Sequence, residues 1–474
     1  MKNAKSEINQ SPKRQADDDG IEHAEESVVG VAGDSLSFHD NDLSCVVVIH
    51  SITDLENPID SNLSEMKPDK GSGSMDWRIL IISHMYPNPV NPMAGIFVHN
   101  QAKALKKEGA DVRVVVPVPS FPLYPKWKGY RQLPKKTEKE GIAVHYVPTR
   151  MIPGGFFFHR YGKYYMKALK KAIYEIHKEF PFDLIHCHTI YPDGYAGGEL
   201  KKEWNVPVVS TIHGSDIMLY PKRRRSIYEQ TVHALKENDL IITVSERLKK
   251  EAEKMHPELA AKTIYNGFDP ERFRPQDRLQ ARERLGLNGE QKILLFVGNL
   301  YPVKGVHYLL EAFAQVHKMS RDIHLYMIGD GPLRPELEKQ AGELGLNEAV
   351  TFLGRKPYDE IPDWISGADV TVLTSLSEGL PSILLESMGC GRAMVATDVG
   401  GIKEILQDGK TGFIAPAKDA DQIAGCLRKI LIDDPSLITT MGENAWKASR
   451  ALTWRENARQ TLQSYTSLIE QKSL

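Results

Sequence analysis

The chain has 474 residues, too many for one ordinary domain and enough for two or three. Hydrophobic residues make up 41% of it, so full cores can form, yet no run approaches the roughly 20 apolar residues that span a bilayer. The formal net charge of -2 hides an asymmetry: residues 1–75 carry 6 basic and 15 acidic side chains, residues 76–275 carry 32 and 21, and residues 276–474 carry 22 and 26.

A basic N-terminal half beside an acidic C-terminal half predicts that the former meets something anionic. No nucleic-acid-binding module accompanies the charge, so nucleic acid is not an expected partner. The four cysteines, Cys45, Cys187, Cys390 and Cys426, are scattered and show no disulfide-like spacing. The first 30 residues lack the apolar segment of a secretory signal. Both features point to a cytoplasmic setting.

Residues 1–75 are acidic, rich in Ser and Asn, and end in a Gly-Ser run before Met75. They are expected to be a disordered extension with a flexible linker. An N-terminal domain is expected over 76–275. It opens with a continuous apolar strand at 78–83, of the kind buried in a parallel sheet. A proline-rich loop ending at Gly95, a helix over 96–107 and a strand at 112–117 complete a βαβ unit. Gly95 is either a point where backbone approaches a ligand or a simple turn glycine. The segment 160–178 interleaves tyrosines with lysines, which reads either as a basic amphipathic helix at a membrane surface or as a solvated helix whose aromatics pack inward. Lys135, Lys136 and the run from Lys222 to Arg225 add to the basic character.

The next strand, 183–188, places His186 and His188 on one face by alternation. They have no further partners at metal-ligand spacing, so no metal is expected. A helix follows over 195–203, then a strand over 207–212 that ends in His213, Gly214, Ser215 and Asp216. His213 therefore lies at the carboxyl end of a strand, where α/β proteins bind ligands, and is either a ligand contact or a structural histidine. Strands at 240–245 and 262–265 precede turn signals and a polar run over 275–284, the expected linker.

A second α/β series is expected over 276–452. Its first strand, 292–297, leads into a loop containing Gly298, Asn299, Lys304 and Gly305, with a helix beginning near Val306. A lysine in a Gly-flanked loop before a helix start is suited to a phosphate, although the loop is not of the Walker type. A strand at 324–328 ends in a tight turn, Gly329 to Pro332, and one at 350–355 runs into Arg355 and Lys356. After the strand 368–374 comes the stretch that holds Glu378, Gly379, Leu380, Pro381 and Glu386, two carboxylates eight residues apart across a turn and a helix start. They are either a cap and a solvated helix face or a ligand site. Further strands are expected at 393–397 and 412–416, and a last helix over 453–474 is expected to cross back to the N-terminal domain. No dinucleotide-binding glycine fingerprint follows the first strand and no serine nucleophile elbow is present.

These motifs, taken together and in this order, resemble the retaining GT-B glycosyltransferases of family four, from about residue 77 to 470. The first strand and loop are also similar to bacterial enzymes of the teichuronic-acid and exopolysaccharide type. The resemblance implies two Rossmann-like domains facing a cleft and transfer of a sugar from a UDP- or GDP-sugar to an acceptor hydroxyl. It implies that Glu386 takes the ribose hydroxyls and that Glu378 faces the donor sugar beside the Gly379 and Leu380 backbone. It assigns Lys304 to the leaving diphosphate, with Gly298 and Gly329 in the surrounding loops, and the backbone of Arg355 and Lys356 to the base. It places His213 near the donor sugar and Gly95 near phosphate and acceptor. Asn299 stands where the family usually has an arginine, so charge there must come from another basic residue, a helix start or a metal. No metal and no separate cofactor are expected. The acceptor is expected to be anionic or lipid-linked, with the basic domain in peripheral contact at the inner face of a membrane. Two rivals are another GT-B chemistry, such as a nucleotide-sugar epimerase or phosphorylase, and a non-catalytic sugar-nucleotide-binding protein.

Overall fold

The computed structural model describes residues 77–153, 155 and 157–473. The acidic extension expected over 1–75 lies outside the described residues.

The first sheet is built from β1 (Arg78–Ile82), β2 (Asp111–Ser120), β3 (Lys136–Lys139), β4 (Ile142–Arg150), β5 (Leu184–His188), β6 (Val208–Ile212), β7 (Leu240–Thr243) and β8 (Ala261–Thr263). Their order is β3-β4-β2-β1-β5-β6-β7-β8, and every pairing is parallel except the β3–β4 hairpin. The second sheet comprises β9 (Lys292–Val297), β10 (Ile323–Ile328), β11 (Val350–Gly354), β12 (Val370–Leu373), β13 (Ala393–Thr397) and β14 (Gly412–Ala415), all parallel in the order β11-β10-β9-β12-β13-β14. Helices between the strands cover both faces, so the chain forms two Rossmann-like domains.

Alternation in β1 shows why its sequence is apolar throughout. Leu80 and Ile82 face a core shared with Leu169 and Ile173 of the helix Tyr161–Glu179, while Ile79 and Ile81 face a separate core. The second core includes Trp454, Ala458 and Tyr465 of the long helix Trp454–Ser473. That helix lies against the helix Ile96–Lys107 of the first domain. Gln101 donates to Asn457 at 2.7 Å, and Arg455 and Arg459 pair with Glu108 at 2.9 and 3.1 Å.

Two strands were not in the expected series. β3 and β4 meet at Glu140 and Gly141, both with positive φ (49° and 77°), the backbone of a tight hairpin turn. The polar run expected as a linker also contains a helix, Arg278–Leu285. Asp277 caps it by accepting from the Gln280 N–H at 2.9 Å, and buried Arg282 docks it through Asp369 at 2.6 Å and the Gly367 carbonyl at 2.8 Å. In the helix Tyr161–Glu179, Tyr161, Tyr165, Leu169, Ile173 and Ile176 are buried in the protein's own core, which is the inward-packing alternative for this segment.

Candidate functional site

Three loops of the second domain meet in front of β9 and β12. The first leaves β9 at Gly298 and ends in a short turn, Pro302–Lys304. Gly305, in left-handed conformation (φ 57°), starts the helix Val306–Met319. A Cβ there would lie 2.3 Å from the Thr374 carbonyl, so only glycine lets the loop sit against the end of β12. The Thr374 hydroxyl also donates to the Lys304 carbonyl at 3.1 Å. These contacts place the Lys304 Nζ 2.6 Å from Glu378 Oε1, which accepts from the Ser375 hydroxyl at 2.6 Å as well. The lysine and glutamate side chains are 22% and 12% exposed, so the pair is shielded but reachable.

Asn299 is exposed on the same loop. Gly329 follows β10 with φ 134°, and its Cα packs on the Gly298 backbone so closely that a Cβ would sit 1.8 Å from that carbonyl oxygen. Arg355 is exposed beyond β11, and Lys356 lies over the Trp364 ring, 5.7 Å from its centroid.

Glu386 is the fifth residue of the helix Ser382–Gly389 and is only 8% exposed. Of the two alternatives drawn from sequence, the solvated helix face is thus not what the fold shows for it. Burial pushes its carboxyl up to about 7, against the pull of a hydrogen bond from Tyr358 and the nearby positive charge of Arg272. The Tyr358 hydroxyl donates to Glu386 Oε1 at 2.8 Å.

The first domain supplies the opposite wall. Gly379 meets it directly: a Cβ on Gly379 would lie 2.0 Å from the His213 carbonyl oxygen, and one on Gly214 would lie 3.2 Å from Gly379. Asp216, fully buried, holds this turn by accepting from the backbone N–H of Gly214 (2.9 Å), His213 (3.2 Å) and Ile190 (2.9 Å). The His213 ring lies 4.5 Å from Phe97, which stands two residues after Gly95, so the glycine loop borders the same space. Gly95 has φ 56°, and a Cβ there would lie 2.2 Å from the Met85 carbonyl. His213 Nε2 is 3.1 Å from His188 Nδ1, and His188 stacks on His186 with centroids 4.5 Å apart. His186 in turn bonds Thr211 at 2.7 Å and the Tyr465 hydroxyl at 2.6 Å. Burial depresses all three imidazoles, His213 and His186 to about 3, so the ladder is neutral at physiological pH. Among the described residues no group of three or more His, Cys, Asp or Glu could hold a metal ion.

The structure thus brings Lys304, Glu378, Gly379 and His213 together, with Gly95 close by through Phe97, and sets Glu386 on the adjoining helix. Three groups beside them were given no role from the sequence, although Glu404 ends the stretch from Thr397 on which the family resemblance partly rests. Tyr358 reaches Glu386 from the loop after β11. His84 Nδ1 is 2.7 Å from the fully buried Asp193, at the ends of β1 and β5. Glu404 accepts from the backbone N–H of Glu246 (2.7 Å) and Arg247 (3.0 Å) across the domain boundary. The position of His84 right after an apolar strand was a usable signal; the other two depend on distant partners.

The arrangement offers a cation paired with one carboxylate, a second carboxyl that is buried, and a neutral histidine where the two domains touch. Residues 277–448 match the family described as Glycosyl transferases group 1, and residues 94–272 match Glycosyltransferase Family 4. A protein of Bacillus subtilis named for a glycosyltransferase of teichuronic acid biosynthesis is 29% identical over 74% of this chain and 88% of its own. The alpha-D-kanosaminyltransferase of Streptomyces kanamyceticus is 32% identical over 55% of this chain and 70% of its own. Among solved structures, Anabaena HepE in complex with UDP-glucose superposes with a TM-score of 0.63 over 82% of this chain and 99% of its own, at 22% identity.

Proposed function

The chain belongs to the group 1, family 4 glycosyl transferases, and on that premise we propose that it moves a sugar from a UDP- or GDP-sugar to an acceptor hydroxyl with the anomeric configuration retained. The observation that carries the reading is the shielded Lys304–Glu378 pair, set beside the point where Gly379 packs against the His213 backbone of the first domain. An oxocarbenium-like transition state needs the leaving diphosphate stabilised, and a preorganised ammonium beside helix starts is suited to that. Glu378 lies where a carboxylate can accept from hydroxyls of the donor sugar, and Glu386 where one can accept from the ribose. Neither is assigned to acid/base hydrolysis. The bond from the anomeric carbon to the diphosphate breaks, the acceptor oxygen bonds to that carbon on the same face, and the acceptor proton passes to the departing phosphate.

Arg355 and Lys356 border the base through their backbone, and Gly298 and Gly329 let the loops close on the nucleotide. Lys304 supplies positive charge of its own, so the reading calls for no metal even with Asn299 in place of an arginine. HepE was solved with UDP-glucose, which favours UDP over GDP as the first donor to try. The excess of basic residues over 76–275 favours an anionic or lipid-linked acceptor in cell-surface polysaccharide or glycolipid synthesis, reached at a membrane face. No helix among the described residues is long and apolar enough to cross a membrane, so such contact would be peripheral.

A thermal-shift screen with UDP-, GDP- and ADP-sugars identifies the donor, and NMR of the product reports its anomeric configuration. Lys304→Ala is expected to lower turnover by about a hundredfold or more while the unfolding midpoint moves by only about a few degrees. Turnover near the wild-type rate in that variant, or an inverted product, would sink the assignment.

A further inference from the structure

Tyr358 belongs to no motif that marks the site, yet it meets the carboxylate assigned to ribose. It lies in the short turn Tyr358–Glu360, just after Arg355, Lys356 and Pro357. Its ring is fixed from two sides. The Arg272 guanidinium lies over it, 4.7 Å from the centroid, and Phe273 meets it edge-on at 5.6 Å. Arg272 is itself held by Asp359 at 2.7 Å. The hydroxyl then has one course, toward the helix Ser382–Gly389, where it donates to Glu386 Oε1 at 2.8 Å.

A buried carboxyl with a single hydrogen-bonded oxygen has its other oxygen left for a ligand hydroxyl.

We propose that Tyr358 is the positioning residue for Glu386, orienting the carboxylate toward the donor's ribose. The inference rests on the reading of Glu386 as the ribose-binding group. A hydrogen bond to an ionised carboxylate that is lost on truncation costs roughly tenfold or more in affinity. The groups facing Glu386 are Tyr358 and Arg272, both favouring the carboxylate, with Cys390 on the following turn and Asp359 pairing Arg272.

The test uses the full chain and whichever of UDP, GDP or ADP the wild-type protein binds most tightly, with its 2′-deoxy counterpart as the probe of ribose contact. Tyr358→Phe keeps the ring and its packing. It is expected to raise the donor KM about tenfold with kcat within about twofold, and to erase most of the preference for the ribonucleotide. The acid limb of kcat/KM should move to higher pH. Glu386→Gln separates the two levels. Should Glu386→Gln keep the ribonucleotide preference, the assignment of Glu386 itself fails. If Glu386→Gln loses that preference while Tyr358→Phe retains it with an unshifted acid limb, the inference about Tyr358 is overturned and the site assignment stands.

Discussion

Glu386 is a carboxyl kept in a place that does not suit a charge. Its folded-state value of about 7 lies above the ordinary value of 4.5, and desolvation is the cause. The sign of the stability effect follows. Below about pH 4.5 the group is protonated both folded and unfolded and costs nothing. As pH rises through 7 it ionises in the folded state too, and the cost of burying the charge, on the order of 3 kcal/mol, is fully present. Glu386→Gln should therefore melt higher than wild type at pH 8, with the gain vanishing near pH 4.5. Donor binding by the wild type should strengthen as pH rises through about 7, because the carboxylate accepts hydroxyl hydrogen bonds better than the acid does. A difference in melting from wild type that is the same at pH 4.5 and pH 8 would show that the carboxyl is not desolvated. Sequence spacing alone left this residue between a solvated face and a site. The choice turned on burial, since the side chain is only 8% exposed and is covered by Tyr358 from a loop far along the chain.

At the scale of elements, the site depends on glycines whose neighbours differ in kind. Gly329 and Gly379 both sit where a Cβ would overlap a carbonyl, at 1.8 Å from Gly298 and 2.0 Å from His213. The first clash is inside one domain and comes with a left-handed φ of 134°, so Gly329→Ala should lower the unfolding midpoint. The second is between domains. Gly379→Ala should leave the midpoint within about a few degrees of wild type, push the domains apart and cut turnover about a hundredfold. Small-angle scattering would show the larger radius of gyration; an unchanged radius with full activity would refute it. The helix Ile96–Lys107 and the apolar strands were legible from periodicity. The β3–β4 hairpin was not, because its β3 strand is polar and rests on register with β4 rather than on its own pattern. The helix Arg278–Leu285 was hidden by polar composition, since its one buried charged anchor, Arg282, needs Asp369 from 87 residues away.

At the scale of the whole molecule, closure is held by contacts that no local pattern announces. Glu404 caps the helix Glu246–Met255 from the other domain through the N–H groups of Glu246 and Arg247, where a helix start attracts a carboxylate. Glu404→Ala should enlarge the donor-free protein in scattering and lower turnover about tenfold, with added donor restoring compactness. No change in size on substitution would mean that the cap does not hold the cleft closed. The helix Trp454–Ser473 adds a second tie by covering one face of the first sheet, through Trp454, Ala458 and Tyr465.

The sequence by itself determined the two α/β series, the order of the loops and the residue types placed in them, since burial on both sheet faces and strand-to-helix turns leave local marks. It also determined the families to which the chain is similar, through motifs held in a set order. Only the tertiary structure decided which of those residues meet. Glu386 became a buried carboxyl under Tyr358, His213 the neutral end of a histidine ladder, and Gly379 the point where the domains touch. Those outcomes rest on desolvation and on contacts between segments far apart in the chain, and neither is encoded at the residue where its effect is felt.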